Sequence, residues 1–598
     1  MYRVSFLLIA LVLTFLSYPA RRARGAGQAT DWLLIAAAVA AFAWPLVDFQ
    51  QFVYRAAEPG ALDLTLGSIA ILLVLEATRR SVGWILPGTA ALFLVYAWAG
   101  PLFDRLGLPV LAHRGYGIDR LVGALYMTLE GVFGVPLNVA ATYIILFTIY
   151  GAVLEQTGAG RFFIEWAMAA TSRSRGPAAP ARSVTVAGLL LGSVSGSGVA
   201  TTVMLGSAAW PLLRSAGYTR DAGGAILSAA GIGALLSPPT LGAAAFLIAE
   251  FLQISYLQVL IMATVPTLLY YWSVFLMIEV DARGMAVPHR PAAAPVSRSS
   301  AVRLTRQYGY HFTSLVAIAV LMAAGMSAFR AVFWSTLLAA GLSFIRADTA
   351  LTPRRAVEAL RSGSAGILGV TATTATAGII VGVVTLTGLG LKIAGLIVGL
   401  AGGTLTLTVI YSAVAVWLLG LAVPVTASYI IAAVMVAPAL VQAGVPAFAA
   451  HMFIFYYAVL SEVSPPTALS PFAAAALTGG NPFRTMAMTW KYTLPAFLVP
   501  FVFTLTPEGL GVLLRAPARD VIISTLTAAA GAAALAAGLG GWLRRRLTPF
   551  ERAVLVAAGG LLFYAGPWAD AAGGLALAVV LFLHFFRHSS PGSAALSL

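Results

Sequence analysis

Leu189-Leu190-Leu191-Gly192-Ser193-Val194-Ser195-Gly196-Ser197-Gly198-Val199-Ala200-Thr201-Thr202 sets a glycine- and serine-rich run in the middle of an apolar stretch, 183–213, that carries no charge. One helical span needs about 20 mostly apolar residues, so the stretch is too long for a single crossing. Its flanks are basic on both sides, with Arg173, Arg175 and Arg182 before it and Arg214 and Arg220 after it. Basic clusters between apolar runs mark cytoplasmic loops, and a single crossing would put one of these flanks outside. A hairpin that enters from the cytoplasm, turns within the membrane and returns satisfies both. Backbone turns at that depth are tolerated only where protein or water covers them.

The rest of the chain agrees with a membrane setting. Of 598 residues, 60% are hydrophobic and 10% charged, and the mean hydropathy is +0.91, values foreign to a soluble protein. Cysteine is absent and only six histidines occur, which excludes disulfides, thiolate metal sites and a histidine-based metal or catalytic cluster. His451 is the histidine in a clearly apolar segment, where packing or an interhelical hydrogen bond is the expected role. The net charge of +15 would suggest nucleic acid in a soluble chain; here the basic residues lie in short loops and act as a topology code, so no nucleic-acid partner is expected. Residues 1–20 resemble a signal peptide in length, but Arg21, Arg22 and Arg24 follow the apolar core rather than precede it, the reverse of the usual order. A retained first helix is expected.

Long continuous apolar runs, without the alternation of a barrel, predict an all-α polytopic membrane protein embedded in a lipid bilayer. Four spans are expected near 5–19, 32–47, 64–78 and 84–100, with Arg21 to Arg24 and Arg79-Arg80 inside, Asp48, Glu58 and Asp63 outside, and 101–137 along the outer surface. A span at 138–156 and a short helix at 160–170 lead into the hairpin. A span at 222–252 is broken at Ser237-Pro238-Pro239-Thr240, and 256–279 leads to a cytoplasmic linker, 281–310, with Arg283, Arg290, Arg298, Arg303 and Arg306. Spans at 312–329 and 331–345 and a basic inner segment, 346–361, follow. Then the plan recurs: a span at 363–386, a short helix at 389–400, a long apolar stretch at 404–441, a span at 446–478 broken at Ser464-Pro465-Pro466-Thr467, and a span at 486–506. Helices at 521–541, 553–566 and 571–586 complete the chain, with Arg544 to Arg546 inside and Asp570 outside.

The two Ser-Pro-Pro-Thr breaks lie 227 residues apart, and the same shift matches Pro211 with Pro438, Leu213 with Leu440, Ala216-Gly217 with Ala443-Gly444 and Ala222 with Ala449. Nearly the same offset pairs Thr157-Gly158-Ala159-Gly160 with Thr387-Gly388-Leu389-Gly390. The charge code runs the first broken span outward and the second inward, so the repeats are inverted. Inverted repeats with broken helices are the sign of a secondary transporter, whose sites lie near the midplane. By the shift, a second hairpin turns near Ala422 to Tyr429 and opens from the outside.

Proline pairs deprive preceding carbonyls of their donors, and such carbonyls can coordinate a desolvated cation. The candidate cation ligands are Ser195, Gly196, Ser237, Pro238, Pro239, Thr240, Ala422, Glu462, Ser464, Pro465, Pro466 and Thr467. Helix N-termini at the hairpin tips offer N–H groups to an anion, and Ser195, Ser197, Thr201, Thr202, Thr426 and Ser428 are candidate substrate ligands. Sodium suits an all-oxygen, weakly charged site as the coupling ion; a proton is the other option. Glu462, an intramembrane acid, either neutralises a cation, carries a proton or fixes the break by hydrogen bonding. The run Thr371, Thr373, Thr374 and Thr376 either lines a cavity or packs helices.

At these motifs the chain resembles the membrane component of the tripartite ATP-independent periplasmic (TRAP) transporters, in particular the fused form of the TAXI branch, in which four-helix and twelve-helix subunits are joined. The resemblance rests on 192–200, on the Ala-Gly-Ile-Ile-Val-Gly-Val-Val-Thr-Leu-Thr-Gly-Leu-Gly-Leu-Lys run at 377–392, and on Leu460-Ser461-Glu462-Val463-Ser464-Pro465-Pro466. It covers 121–510 well, the transport domain with repeats at 138–280 and 363–506. Residues 1–120 look like the small subunit fused in front, and 519–598 like a C-terminal extension. The resemblance implies an elevator-type, sodium-driven importer in a bacterial cytoplasmic membrane, with an extracytoplasmic TAXI-type binding protein delivering a small carboxylate-bearing anion. Two departures stand out. The charge code places the N-terminus outside, whereas the family's small subunit begins inside, and the second tip, Gly420-Leu421-Ala422-Val423-Pro424, is less polar than the first. A stand-alone ion-coupled carboxylate carrier or antiporter is the alternative. An enzyme is not expected, for no paired carboxylates or nucleophile constellation is present, and a nucleotide-driven pump lacks a phosphate-binding loop.

Overall fold

Helices carry the whole architecture, as continuous apolar runs require: in a bilayer every backbone group must be satisfied within its own segment. The computed structural model describes residues 1–20, 26–47, 49–171, 178–284, 300–421 and 423–586. Arg21, Arg22, Arg24, Asp48, Arg173, Arg175, Arg290, Arg298 and Ala422 lie outside the described residues. Among those described, the one non-helical pairing is an isolated bridge between Trp542 and Arg546. Among the described residues, seven helices are long and apolar enough to cross a membrane, and shorter apolar helices, Leu405–Gly420 and Val425–Met435 among them, accompany them. The protein is an all-α polytopic membrane protein.

The chain divides into two compact units, Met1–Gly160, Pro239–Val259 and Gly309–Glu462 in the first, and Arg161–Pro238, Leu260–Tyr308 and Val463–Leu598 in the second. In the first unit the 35-residue helix Pro353–Thr387 is the axis, about 50 Å long at 1.5 Å per residue. Thr352 caps its N-terminus by accepting from the Arg355 amide, and Gly388, in the left-handed region at φ 68°, ends it. Thr371, Thr373, Thr374 and Thr376 are buried there. Thr371 bonds back to the Ile367 carbonyl and Thr374 to that of Thr371, while Thr78, from helix Ala61–Ser81, reaches the Ala372 carbonyl and the Thr376 hydroxyl at 2.9 and 2.7 Å. The run packs helices. Arg80 closes the other side of Ala61–Ser81, pairing with Asp31 and Glu76 at 2.6 and 2.7 Å.

Both repeats follow one order of elements. Ile145–Gln156 and Ala159–Thr171 precede the limbs Ala179–Ser195 and Gly198–Ser215, then Arg220–Ile232, a break, Ala244–Leu252 and Tyr256–Gly284. Pro353–Thr387 and Leu389–Leu400 precede the limbs Leu405–Gly420 and Val425–Met435, then Ala447–Ser461, a break, Leu469–Thr478 and Pro482–Thr493. The helices opening the broken spans, at Arg220 and Ala447, start 227 residues apart, and the turns before them use Gly217 and Gly444, with φ of 94° and 96°. Each unit holds one hairpin, the first half of one broken helix and the second half of the other.

Three of the expected spans show how local breakers move an element's bounds. The pair expected at 312–329 and 331–345 forms Tyr310–Ala323 and Ala328–Ser343, because Gly325, at φ 94°, turns the chain and Ser327 caps the second helix. The span expected at 486–506 is Pro482–Thr493, a 3-10 stretch Leu494–Leu498 and Val499–Leu505. Pro495 and Pro500 remove the amides a continuous helix would need.

In the second unit, helices Ala518–Gly540, Pro549–Leu562 and Pro567–Phe586 pack in sequence order. Thr548 and Glu551 form a reciprocal capping box at the start of the middle helix. Burial alone would raise the Glu551 carboxyl, but the Thr548 amide, Arg545, His584 and the Thr548 hydroxyl outweigh it and hold it down at about 2, from the usual 4.5. A carboxylate depressed on folding stabilises the native state above its unfolded value, and that contribution is lost as pH falls through the folded value. The native chain should therefore melt above a Glu551→Gln variant at neutral pH, the gap closing between 4.5 and about 2. A gap independent of pH over that window would contradict the assignment.

Candidate functional site

In the second unit the first hairpin turns at Gly196, whose φ of 58° is a left-handed conformation open to glycine at little cost. Ser197 caps the returning limb, its side chain accepting from the Ala200 amide. The Thr201 hydroxyl donates to the Ser197 carbonyl at 2.8 Å and that of Ser195 to the same oxygen at 3.4 Å. Those hydroxyls serve the turn itself. Thr202 differs: it is fully buried and its Oγ1 has no hydrogen-bond partner among the described residues.

The hairpin lies tightly on the helix Arg220–Ile232 and the short stretch Gly233–Leu236 that follows it. A Cβ on Gly192 would fall 2.6 Å from the Ala234 Cα and 2.9 Å from the Ser237 Oγ, and one on Gly231 would fall 2.2 Å from the Thr202 Oγ1. At the break, Ser237 is fully buried and donates to the Gly233 carbonyl. Ser193 donates to the Pro238 carbonyl at 2.8 Å, and Thr267 to that of Leu236 at 2.5 Å. The second break reaches this unit as Ser464, Pro465, Pro466 and Thr467, with a cis Pro465-Pro466 bond. Ser464 is fully buried, and the Thr467 Oγ1 is buried without a partner among the described residues. The helix that follows, Leu469–Thr478, packs against both Gly198–Ser215 and Arg220–Ile232.

The first unit holds a counterpart. A Cβ on Gly420, the last residue of the limb Leu405–Gly420, would fall 2.2 Å from the Ser461 Oγ and 2.9 Å from the Ser428 Oγ. Ser461 ends the first half of the second broken helix, as Ala234 lies at the end of the first, and the two are 227 residues apart. Ser428 is fully buried and its hydroxyl has no partner among the described residues; Thr426 is half-buried. Glu462 is half-buried at the C-terminal end of Ala447–Ser461. The Pro239 carbonyl accepts from Tyr256 at 3.1 Å, and Thr240 is buried nearby in sequence. His451 meets the Tyr429 hydroxyl at 2.7 Å and lies near Phe251, the interhelical hydrogen bond expected of it.

The sequence-predicted residues thus fall into two groups. Ser195, Gly196, Ser197, Thr201, Thr202, Ser237, Pro238, Ser464, Pro465, Pro466 and Thr467 belong to the second unit, and Pro239, Thr240, Thr426, Ser428 and Glu462 to the first. Sequence reasoning missed Ser193, Thr267 and Tyr256, whose hydroxyls occupy carbonyls near the first break, and Gly231 and Ser461, which set how closely the hairpins approach. Gly188 and Gly192, four apart on one limb, are the small-residue spacing that could have signalled that approach. A cavity of about 370 Å³ in the first unit, with Tyr143, Phe246, Glu250 and Met326 in its wall, includes none of the predicted residues.

Buried hydroxyls cost free energy unless something bonds to them. Thr202 and Thr467 in one unit and Ser428 in the other are oxygen donors of that kind, in surroundings built from hydroxyls and backbone. Within each unit such oxygen donors are of the kind that suits a hard cation.

A family model described as the tripartite ATP-independent periplasmic transporter, DctM component, matches residues 69–509. No curated protein matches the chain.

Proposed function

The chain belongs to the family of DctM components of the tripartite ATP-independent periplasmic transporters, and from that premise we propose that it imports a small organic anion, driven by sodium and supplied by an extracytoplasmic binding protein. One observation carries the coupling part of this reading. Each hairpin places a buried, unpartnered hydroxyl, Thr202 or Ser428, at a glycine contact with the first half of a broken helix. Sodium held there would tie the hairpin to the break, and Thr467 and backbone carbonyls would add ligands. Glu462, one residue past Ser461, supplies negative charge beside the second hairpin. The N–H groups opening Gly198–Ser215 and the Ser197 hydroxyl would face the anion, the Ser195 and Thr201 hydroxyls being held by the Ser197 carbonyl, and Thr426 would do so on the second hairpin.

Coupling follows from occupancy. A cation and an anion sharing hairpin tips neutralise each other, so the loaded site crosses a low-dielectric layer at smaller cost than either ion alone. We read residues 1–120 as a fused small subunit, 121–510 as the transport domain with inverted repeats moving as an elevator, and 519–598 as an extension. The binding protein is of the TAXI type and the membrane is the bacterial inner membrane in this reading.

Uptake into proteoliposomes containing the purified chain checks the partner. Substrate should accumulate only when the cognate binding protein is supplied outside. Equal uptake without it would replace this reading with a stand-alone carboxylate carrier.

A further inference from the structure

The segment 541–552, beyond the residues matched by the family model, concentrates Arg544, Arg545, Arg546 and Arg552 against a single acid, Glu551. Their roles separate cleanly. Arg545 turns inward and holds Glu551 at 2.8 Å, and that carboxylate also accepts from the Thr548 amide and meets His584. Arg552 folds back over the end of Ala518–Gly540, its Nε and Nη2 donating to the Gly538 and Leu539 carbonyls at 2.9 and 3.1 Å. Arg544 and Arg546 are exposed and have no acidic partner among the described residues. Three guanidinium groups therefore remain without a carboxylate at one end of the helix pair.

Arg552, six residues after Arg546, also stands in the wall of an apolar groove between Ala518–Gly540 and Pro549–Leu562. Its volume is about 580 Å³ and its wall is formed by Gly538, Leu539, Ala553, Val556 and Ala557, with Arg552 at the polar end. That volume is in the range of roughly 300–1,000 Å³ typical of small-molecule sites. Phe550, 72% exposed, stands beside the arginine turn, and both neighbouring helices, Ala518–Gly540 and Pro567–Phe585, are long and apolar enough to span a bilayer. Charge alone would orient the chain; charge set on the open end of an apolar groove also matches an amphiphile.

We propose that this groove binds an anionic phospholipid of the cytoplasmic leaflet, its phosphodiester against Arg544, Arg546 and Arg552 and part of an acyl chain along Leu539, Ala553 and Val556. Basic residues at the end of membrane helices attract anionic headgroups, and the attraction falls off within a Debye length. A zwitterionic lipid fills the same groove without that gain.

The test uses the full chain reconstituted in vesicles of equal parts phosphatidylglycerol and phosphatidylcholine, extracted, and weighed with its retained lipid by native mass spectrometry. The native protein should retain phosphatidylglycerol with a preference of about tenfold or more. Arg544→Gln/Arg546→Gln, which removes charge, and Ala553→Trp, which fills the groove, should each abolish the preference. Arg519→Gln, at the start of Ala518–Gly540, should leave it intact and shows that the protein tolerates loss of an arginine. Equal retention of the two lipids by the native chain, an annular lipid only, would overturn the proposal. So would a preference that survives Ala553→Trp, because attraction to charge without a groove would then suffice.

Discussion

Thr202→Val should make the protein more stable in sodium-free buffer and unable to couple transport to sodium. The two side chains have nearly the same shape, but the native hydroxyl is fully buried with no partner among the described residues. Leaving such a group unsatisfied costs about 1–3 kcal/mol, and valine removes that cost. Sodium reverses the balance in the native chain, because an ion present at 100 times its dissociation constant stabilises the protein by about 2.7 kcal/mol. The variant should therefore melt above the native chain without sodium and fail to gain when sodium is added. Sodium-dependent uptake should fall by roughly 10- to 100-fold, the worth of one hydrogen-bond-strength contact to a charge. Ser428→Ala should behave in the same way, with a smaller rise in stability because it also removes volume. A Thr202→Val protein that is less stable in the absence of sodium, yet transports at the native rate, would show that Thr202 is a packing residue.

The second large effect comes from one methyl group. Gly231→Ala would put a Cβ 2.2 Å from the Thr202 Oγ1 and 2.8 Å from the Thr202 backbone nitrogen. Backbone cannot rotate away as a side chain can, so the returning limb must move off Arg220–Ile232. Overpacking of this kind costs about 1–3 kcal/mol, but the displacement falls on the hydroxyl assigned to the ion. Uptake should drop more than about tenfold while the protein still reaches the membrane. Gly420→Ala meets Ser461 and Ser428 with similar closeness and should do the same through the other hairpin. The control is Gly395→Ala, where the added Cβ meets nothing within 4 Å; it should transport normally. Native uptake by both Gly231→Ala and Gly420→Ala would remove the hairpin contacts from the mechanism.

Much of this was legible in the sequence because membrane physics leaves few options. The charge-free stretch at 183–213 with basic flanks implied a hairpin, and the helices Ala179–Ser195 and Gly198–Ser215 meet at Gly196, inside the glycine–serine run. The two Ser-Pro-Pro-Thr segments coincide with breaks between helices, since a proline pair cannot supply the amides of a continuing helix. The family was legible as well, through the motifs at 192–200 and 460–466, and the match over 69–509 agrees. Less visible was which hydroxyls are already spent. Ser195, Ser197 and Thr201 look equivalent to Thr202 in sequence, yet the turn consumes the first three and leaves the fourth alone. Nor could the prolines reveal that Ser193 and Thr267 reach the Pro238 and Leu236 carbonyls, since those contacts span 45 and 31 residues. Short-range breakers also move element bounds. Pro495 and Pro500 split the expected span at 486–506, and Ser327 caps the helix Ala328–Ser343 at a point where the span expected at 312–329 still runs.

The most direct measurement of the central claim is uptake into proteoliposomes under imposed gradients, with the binding protein present outside. An inward sodium gradient at equal pH should drive accumulation of the organic anion, and potassium in its place should not. Accumulation driven by a proton gradient in sodium-free medium, undiminished by Thr202→Val, would contradict sodium coupling at the hairpins.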